Sequence, residues 1–209
     1  MAYETPTPAI NSNALVFHAI NYFNNLNNCY IVIGKTSAWP VDAQPPVPVD
    51  GDNITEVAGY FKPTCYLCYK TTADEKDDST LAYGSDFYQP VSLTDAYSKK
   101  ASYVYYTVTI NPDDISNVNT FRQVGLNFGV TLKSGASGVI LTPSNVDSSG
   151  YTHFILNSQP FIVTDNRNIK INMLISEEKD VSGSNVSTDV TSEITTVLPT
   201  TVSPTTVTP

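Results

Sequence analysis

Few residues in this 209-residue chain have the types and spacing that chemistry needs. Cys65-Tyr-Leu-Cys68 is a C-x-x-C, and Cys29, His18 and His153 complete the set of soft ligands. Zinc sites ordinarily carry two such pairs, or one pair with closely spaced histidines. Here His18 falls in an expected helix and His153 in an expected strand, each by itself. Cys65 and Cys68 also sit in an expected strand, where a three-residue step sends the two thiols to opposite faces. They are expected to be buried and inert, and an odd number of cysteines fits reduced thiols. Gly34-Lys35-Thr36 resembles the end of a phosphate-binding loop, but the upstream glycine is missing. Asp74, Glu75, Asp77 and Asp78 lack the central glycine and distal glutamate of a calcium loop, so a solvated acidic turn is expected. No G-x-S-x-G is present, and neither histidine sits near a serine or aspartate signature. Asn53-Ile-Thr and Asn185-Val-Ser read as chance sequons. No catalytic, cofactor-binding or metal-binding residue is assigned, and the chain is expected not to be an enzyme.

Composition points the same way. The formal charge is −9 with pI near 4.5, and Lys and Arg are scattered, so the basic footprint of a nucleic-acid binder is absent. No apolar run approaches the length of a bilayer, and the start has no signal-peptide pattern, so synthesis in a cytoplasm is expected. Only 15% of residues are charged, while Tyr and Phe together with β-branched residues are abundant, which favours pleated, half-buried surfaces.

The elements follow. Residues 1–11 form an expected N-terminal arm with two Thr-Pro steps. A short helix is expected from Ser12 to Leu26, with Asn11, Ser12 and Asn13 as possible caps and Leu15, Val16, Ala19, Ile20, Phe23 and Leu26 at helical spacing. Expected strands cover Tyr30–Ile33, Thr64–Lys70, Tyr103–Ile110, Phe121–Leu132, Gly138–Leu141, Tyr151–Leu156, Phe161–Thr164 and Ile169–Ile175. Ile54–Phe61 reads as a short helix or a turn, and Leu81–Ser92 has no clear period. Between Trp39 and Asp50 lies a loop, Gln44-Pro-Pro-Val-Pro-Val-Asp50, that proline excludes from any regular ladder. Trp39, the single tryptophan, is either a core plug at one end of the fold or an interface anchor. Strands separated by Gly, Pro, Asn and Asp in this rhythm indicate a mainly β chain: an antiparallel β-sandwich over 12–176 with a short N-terminal helix and extended terminal arms. Residues 177–209 are read as an extended Thr/Val/Pro-rich tail ending in three T-T-V-x-P repeats, disordered alone or held by a neighbour.

Several stretches, in order, resemble the dimeric β-sandwich wedge subunit of T-even-like, contractile-tailed bacteriophage baseplates. They are Ala14-Leu-Val-Phe-His-Ala-Ile-Asn-Tyr-Phe23, Tyr30-Ile-Val-Ile-Gly-Lys-Thr-Ser-Ala-Trp39 with Pro45-Pro-Val-Pro48, Tyr103-Val-Tyr-Tyr-Thr-Val-Thr-Ile-Asn-Pro-Asp-Asp-Ile115, Phe121-Arg-Gln-Val124 and Ile169-Lys-Ile-Asn-Met-Leu-Ile175. The resemblance implies a two-layer sandwich, a homodimer, a virion location in the baseplate, and a structural role among other wedge and tail proteins without catalysis. The chain is shorter than that family, with residues between Cys68 and Tyr103 trimmed, and the T-T-V-x-P tail has no counterpart in it. A receptor- or carbohydrate-binding virion module is the alternative, because Tyr-rich loops suit sugar stacking.

Overall fold

The computed structural model describes residues 11–115, 117–164, 167–179 and 186–197, with backbone only for 178–179, 186–193 and 196–197. The expected arms at 1–10 and 198–209 lie outside the described residues, as does Asn185.

One helix, α1 (Ser12–Asn24), opens the fold. Asn11 caps it: its side chain accepts from the Asn13 N–H at 3.0 Å, supplying an acceptor that the first turn lacks. A 3-10 turn, Asn25–Asn28, closes it two residues beyond the expected end. The strands are β1 (Tyr30–Gly34), β2 (Gly59–Phe61), β3 (Thr64–Thr71), β4 (Leu81–Tyr83), β5 (Asp86–Pro90), β6 (Tyr103–Ile110) and β7 (Thr120–Phe128), followed by β8 (Thr131–Leu132), β9 (Ile140–Leu141), β10 (Val146–Ser148), β11 (Tyr151–Ile162), β12 (Asn168–Lys179) and β13 (Val186–Val197). Every pairing is antiparallel. A five-stranded sheet has the order β11-β7-β1-β2-β9, a six-stranded sheet has β13-β12-β6-β3-β5-β4, and β10-β8 form a small ribbon.

Period-two alternation decides which side chains meet. Ile31, Ile33, Val124, Leu126 and Phe128 of the first sheet pack with Leu67, Val104, Tyr106, Ile110, Ile171, Met173 and Ile175 of the second. Val16 and Ala19 of α1 are buried in the same core, and α1 contacts β3, β6 and β12. The result is the expected antiparallel sandwich with its N-terminal helix. Both sheets also bury part of their outer faces. Tyr30, Val32, Tyr60, Leu141 and Val146 gather around Ile54 behind the first sheet, and Cys68, Tyr88, Tyr105 and Leu174 form a cluster behind the second.

Four expectations change. The single strand expected over Phe121–Leu132 divides after Phe128 into β7, in the five-stranded sheet, and β8, in the ribbon, because Gly129 takes a positive φ of +71° between them. Ile54–Phe61 is neither helix nor turn: it ends in β2, where Tyr60 and Phe61 enter opposite cores, so two apolar destinations rather than one helical stripe set its pattern. Tyr151–Leu156 and Phe161–Thr164 are not separate strands but one, β11, with register shifts between Thr152 and Phe154 and between Asn157 and Phe161. The bulges absorb Pro160 without ending the strand. Finally, a boundary after residue 176 falls inside β12, which continues to Lys179, and β13 returns beside it over twelve consecutive pairs. An edge strand draws mostly on backbone bonds, so β13 needs little apolar content: Ile194, opposite Ile171, is its described contact with the main core.

Candidate interaction surface

A dense polar construction joins the end of β1 to the segment before β2. Lys35 and Glu56 are non-glycine residues with left-handed backbone, at φ +53° and +48°. Such conformations persist where surrounding bonds over-determine them. Here the Lys35 N–H donates to Thr55 O at 2.6 Å, and the Glu56 carboxylate collects four donors. These are Lys35 Nζ at 2.8 Å, Thr36 Oγ1 at 3.0 Å, the Ser37 N–H at 2.7 Å and Ser37 Oγ at 2.6 Å. Bonding to Lys35 first, and then to Ser37, holds the Glu56 carboxyl well below the usual carboxylate range.

Glycine makes this approach possible. A Cβ on Gly34 would stand 2.4 Å from Thr55 O and 2.5 Å from Ile54 Cγ2, and one on Gly125 would stand 2.9 Å from Ile54 Cδ1. Ile54 is therefore seated across two strands that are bare of side chain at that point, which draws residues 54–56 down onto the sheet.

A second brace lies alongside. Arg122 on β7, 7% exposed, forks onto Asp42 through Nε at 2.8 Å and Nη2 at 2.9 Å, and its Nη1 donates to Thr36 O at 2.9 Å. Asp42 also accepts the Trp39 N–H at 2.8 Å; the Arg122 bond, then Trp39, keeps its carboxyl below the ordinary range. Trp39 is half-buried on the outside of the fold, which corrects the core-plug reading: its Nε1 donates to Ser158 O at 2.9 Å and Lys35 Nζ lies 5.4 Å from its ring centroid. A tryptophan needs a partner for its N–H, and the bulged carbonyl of Ser158 offers one only at the sheet surface. Asn157 Nδ2 then donates to Pro46 O at 2.9 Å. The proline loop is thus pinned at Trp39, Asp42 and Pro46 while Val41, Val47 and Val49 stay exposed, Val47 by 85%.

The other residues with possible chemistry are dispersed. Leu67 and Cys65 face the main core, whereas Cys68 faces the outer tyrosine cluster, so the two thiols of the C-x-x-C part as their spacing implies. Burial pushes the Cys29 and Cys68 thiols up to about 12 and raises that of Cys65, which suppresses thiolate. Lys35 of Gly34-Lys35-Thr36 is engaged by Glu56, not held for a phosphate. Asp77 accepts from the Ser79 N–H at 2.8 Å and from Gln89 Nε2 at 3.0 Å, bracing the exposed turn after β3. His153 packs 5.6 Å from Phe128 and 5.1 Å from Tyr22, and burial lowers its pKa. His18 lies 3.7 Å from the buried Glu177 carboxylate. Among the described residues, no group of three or more His, Cys, Asp and Glu side chains could hold a metal, and no helix is long and apolar enough to cross a membrane. Glu56, Asp42 and Arg122 are what sequence reading missed. The available signal was an arginine inside an apolar strand, Phe121-Arg-Gln-Val124.

The braced loop carries the Gly34-Lys-x-x-x-Trp39 and Pro45-Pro46 pattern. A family model described as baseplate wedge 3 tail fiber network component matches residues 8–176. The chain belongs to this family. It is similar to Virion protein 3 of Enterococcus phage phiEF24C, 29% identical over 174 residues that cover 82% of this chain and 96% of that protein. The baseplate wedge family match runs from α1 through most of β12 and leaves out only the end of β12 and β13 of the described strands, so a structural role in a phage virion baseplate rests on most of the fold and not on one motif.

Proposed function

We propose that this baseplate protein is a non-enzymatic spacer of a contractile-tail wedge, made in the host cytoplasm, that holds wedge subunits together as a homodimer in contact with other tail proteins. The observation that carries the proposal is the pinned proline loop. Its entry is held by the bonds of Glu56, Arg122 and Trp39 at residues 36–42 and its middle by the Asn157 bond to Pro46 O, while Val41, Val47 and Val49 face outward and join none of the described core clusters. A preorganised loop loses little conformational entropy on docking, and exposed valines on it offer apolar area at that small entropic loss. The family membership supplies the partners' class, other baseplate and tail-fibre-network components.

The test is a tagged pull-down from infected-cell lysate with mass spectrometry, alongside light scattering on the purified protein. A dimer that captures baseplate proteins supports the proposal. A Val47→Asp/Val49→Asp variant should melt like the parent and lose most of that capture. A monomer that captures no tail protein overturns it.

A second reading, a glycan-binding virion module, has one observation in its favour. A cleft of about 330 Å³ at the end of α1 is lined by Asn24, Asn25, Asn27 and Asn28 with the exposed ring of Tyr151 beside them. Amides and an aromatic face suit sugars. Retention of host glycans by a monomer would favour this reading over the wedge proposal.

A further inference from the structure

The two sheets have four edges, and the structure treats them unequally. β9 has two residues and β4 three, too short to template another strand. β11 has twelve residues, but two register shifts bend it, Pro160 removes a donor, and Trp39 bonds to its Ser158 carbonyl. β13 has none of these protections. It runs twelve residues, Val186–Val197, in unbroken register on β12, with no proline, glycine, lysine or arginine and mostly β-branched residues. Among the described residues, no strand pairs with its outer side. A regular edge of that length leaves alternate N–H and C=O groups directed outward, a configuration that soluble β proteins ordinarily block.

We infer that the outer edge of β13 is an assembly site that accepts a β-strand from a neighbouring baseplate subunit, extending the six-stranded sheet across the interface. This inference rests on the wedge reading above and specifies one of its contacts. Charge decides between a foreign strand and a second copy. β13 carries Asp189 and Glu193 and no cation, and each copy of the chain has net charge −9, so self-pairing brings together edges with nothing basic to offset the acids. The fitting partner is an extended segment of another tail protein with β-branched residues and Lys or Arg opposite Asp189 and Glu193. Backbone bonds would give it affinity, and the acidic pair would give it register.

Hydrogen–deuterium exchange read by mass spectrometry tests this on the full chain, first alone and then in baseplates purified from virions. Alone, about half of the amides in 186–197, those directed away from β12, should exchange within seconds. In the baseplate, the whole segment should be protected. Full protection in the isolated monomer would mean that the chain covers its own edge, and would overturn the inference. Protection of residues 39–50 in the baseplate without protection of 186–197 would overturn the inference while leaving the wedge reading standing, and protection of neither segment would overturn both. A full-length Asp189→Lys/Glu193→Lys variant should keep the parent's melting temperature and lose incorporation by about tenfold or more, as like charges face each other across the new pair. Unchanged incorporation would overturn the charge-selected partner. Loss of dimerisation by that variant in light scattering would assign the edge to a second copy and overturn it likewise.

Discussion

At the residue scale, the decisive group is Glu56. Its carboxylate orders Lys35, Thr36 and Ser37 at once, and its own left-handed backbone is tolerated because those bonds fix it. Its folded-state pKa lies below that of the unfolded chain, near 4.3 for a free glutamate. Its contribution to stability is therefore present above about pH 4.3 and lost as the pH falls towards the lower folded value. Glu56→Gln should lower the melting temperature by a few degrees at neutral pH, modestly because the carboxylate is 39% exposed. The gap to the parent should narrow in thermal scans taken below about pH 4. A gap independent of pH would sink this account of the loop. None of this was legible in the sequence. Glu56 lies nineteen residues from Ser37, in a segment whose apolar pattern was ambiguous, and only the close return of the chain at Thr55 brings the carboxylate to the β1 terminus.

At the element scale, the site depends on how closely the 54–56 segment approaches β1 and β7. Gly34→Ala places a methyl within 2.5 Å of Ile54 Cγ2 and against Thr55 O, and backbone oxygen cannot step aside. Overpacking of this kind costs about 1–3 kcal/mol. For a chain of this length, that corresponds to roughly 2–4 °C of melting temperature per kcal/mol. Thermal unfolding measures the loss, and faster amide exchange over residues 35–42 should accompany it, because the Lys35 and Ser37 bonds are displaced together. A melting curve equal to the parent's would show that Ile54 repacks freely. β1, β3 and β6 were legible from alternation and aromatic content: β6 has the limits read from its residues, and β3 and β1 differ by one residue. β2 and β11 were not. A three-residue strand has too few residues to show a period, and a bulged strand breaks its period twice.

At the scale of the whole molecule, β12 and β13 alter what the C-terminal region can do. Cutting the chain at residue 176 would remove the end of β12 and all of β13, including Ile194 packed against the core. A truncation meant to probe the terminal repeats must spare them. A chain ending at Val197 keeps every described strand and should melt within about 2 °C of the full protein, since the removed residues carry a proline at every fifth position and few apolar side chains with which to build a core. It should enter baseplates less efficiently, measured by its abundance in purified virions. A large loss of melting temperature would instead assign residues 198–209 a part in the fold.

Residue types and their order determined several things by themselves. They made the chain mainly β, put a capped helix at the front, separated the two thiols of the C-x-x-C, and gave the chain a net charge of −9. All of these depend on local period, local capping or summed charge, which need no tertiary context. Tertiary structure decided what those properties are used for. Pairing residues far apart in sequence brought Glu56 to Ser37, Arg122 to Asp42 and Trp39 to Ser158, the last across 119 positions. It also recruited a Thr/Val segment with little apolar content as an edge strand, because the backbone bonds of β12 supply what its side chains do not.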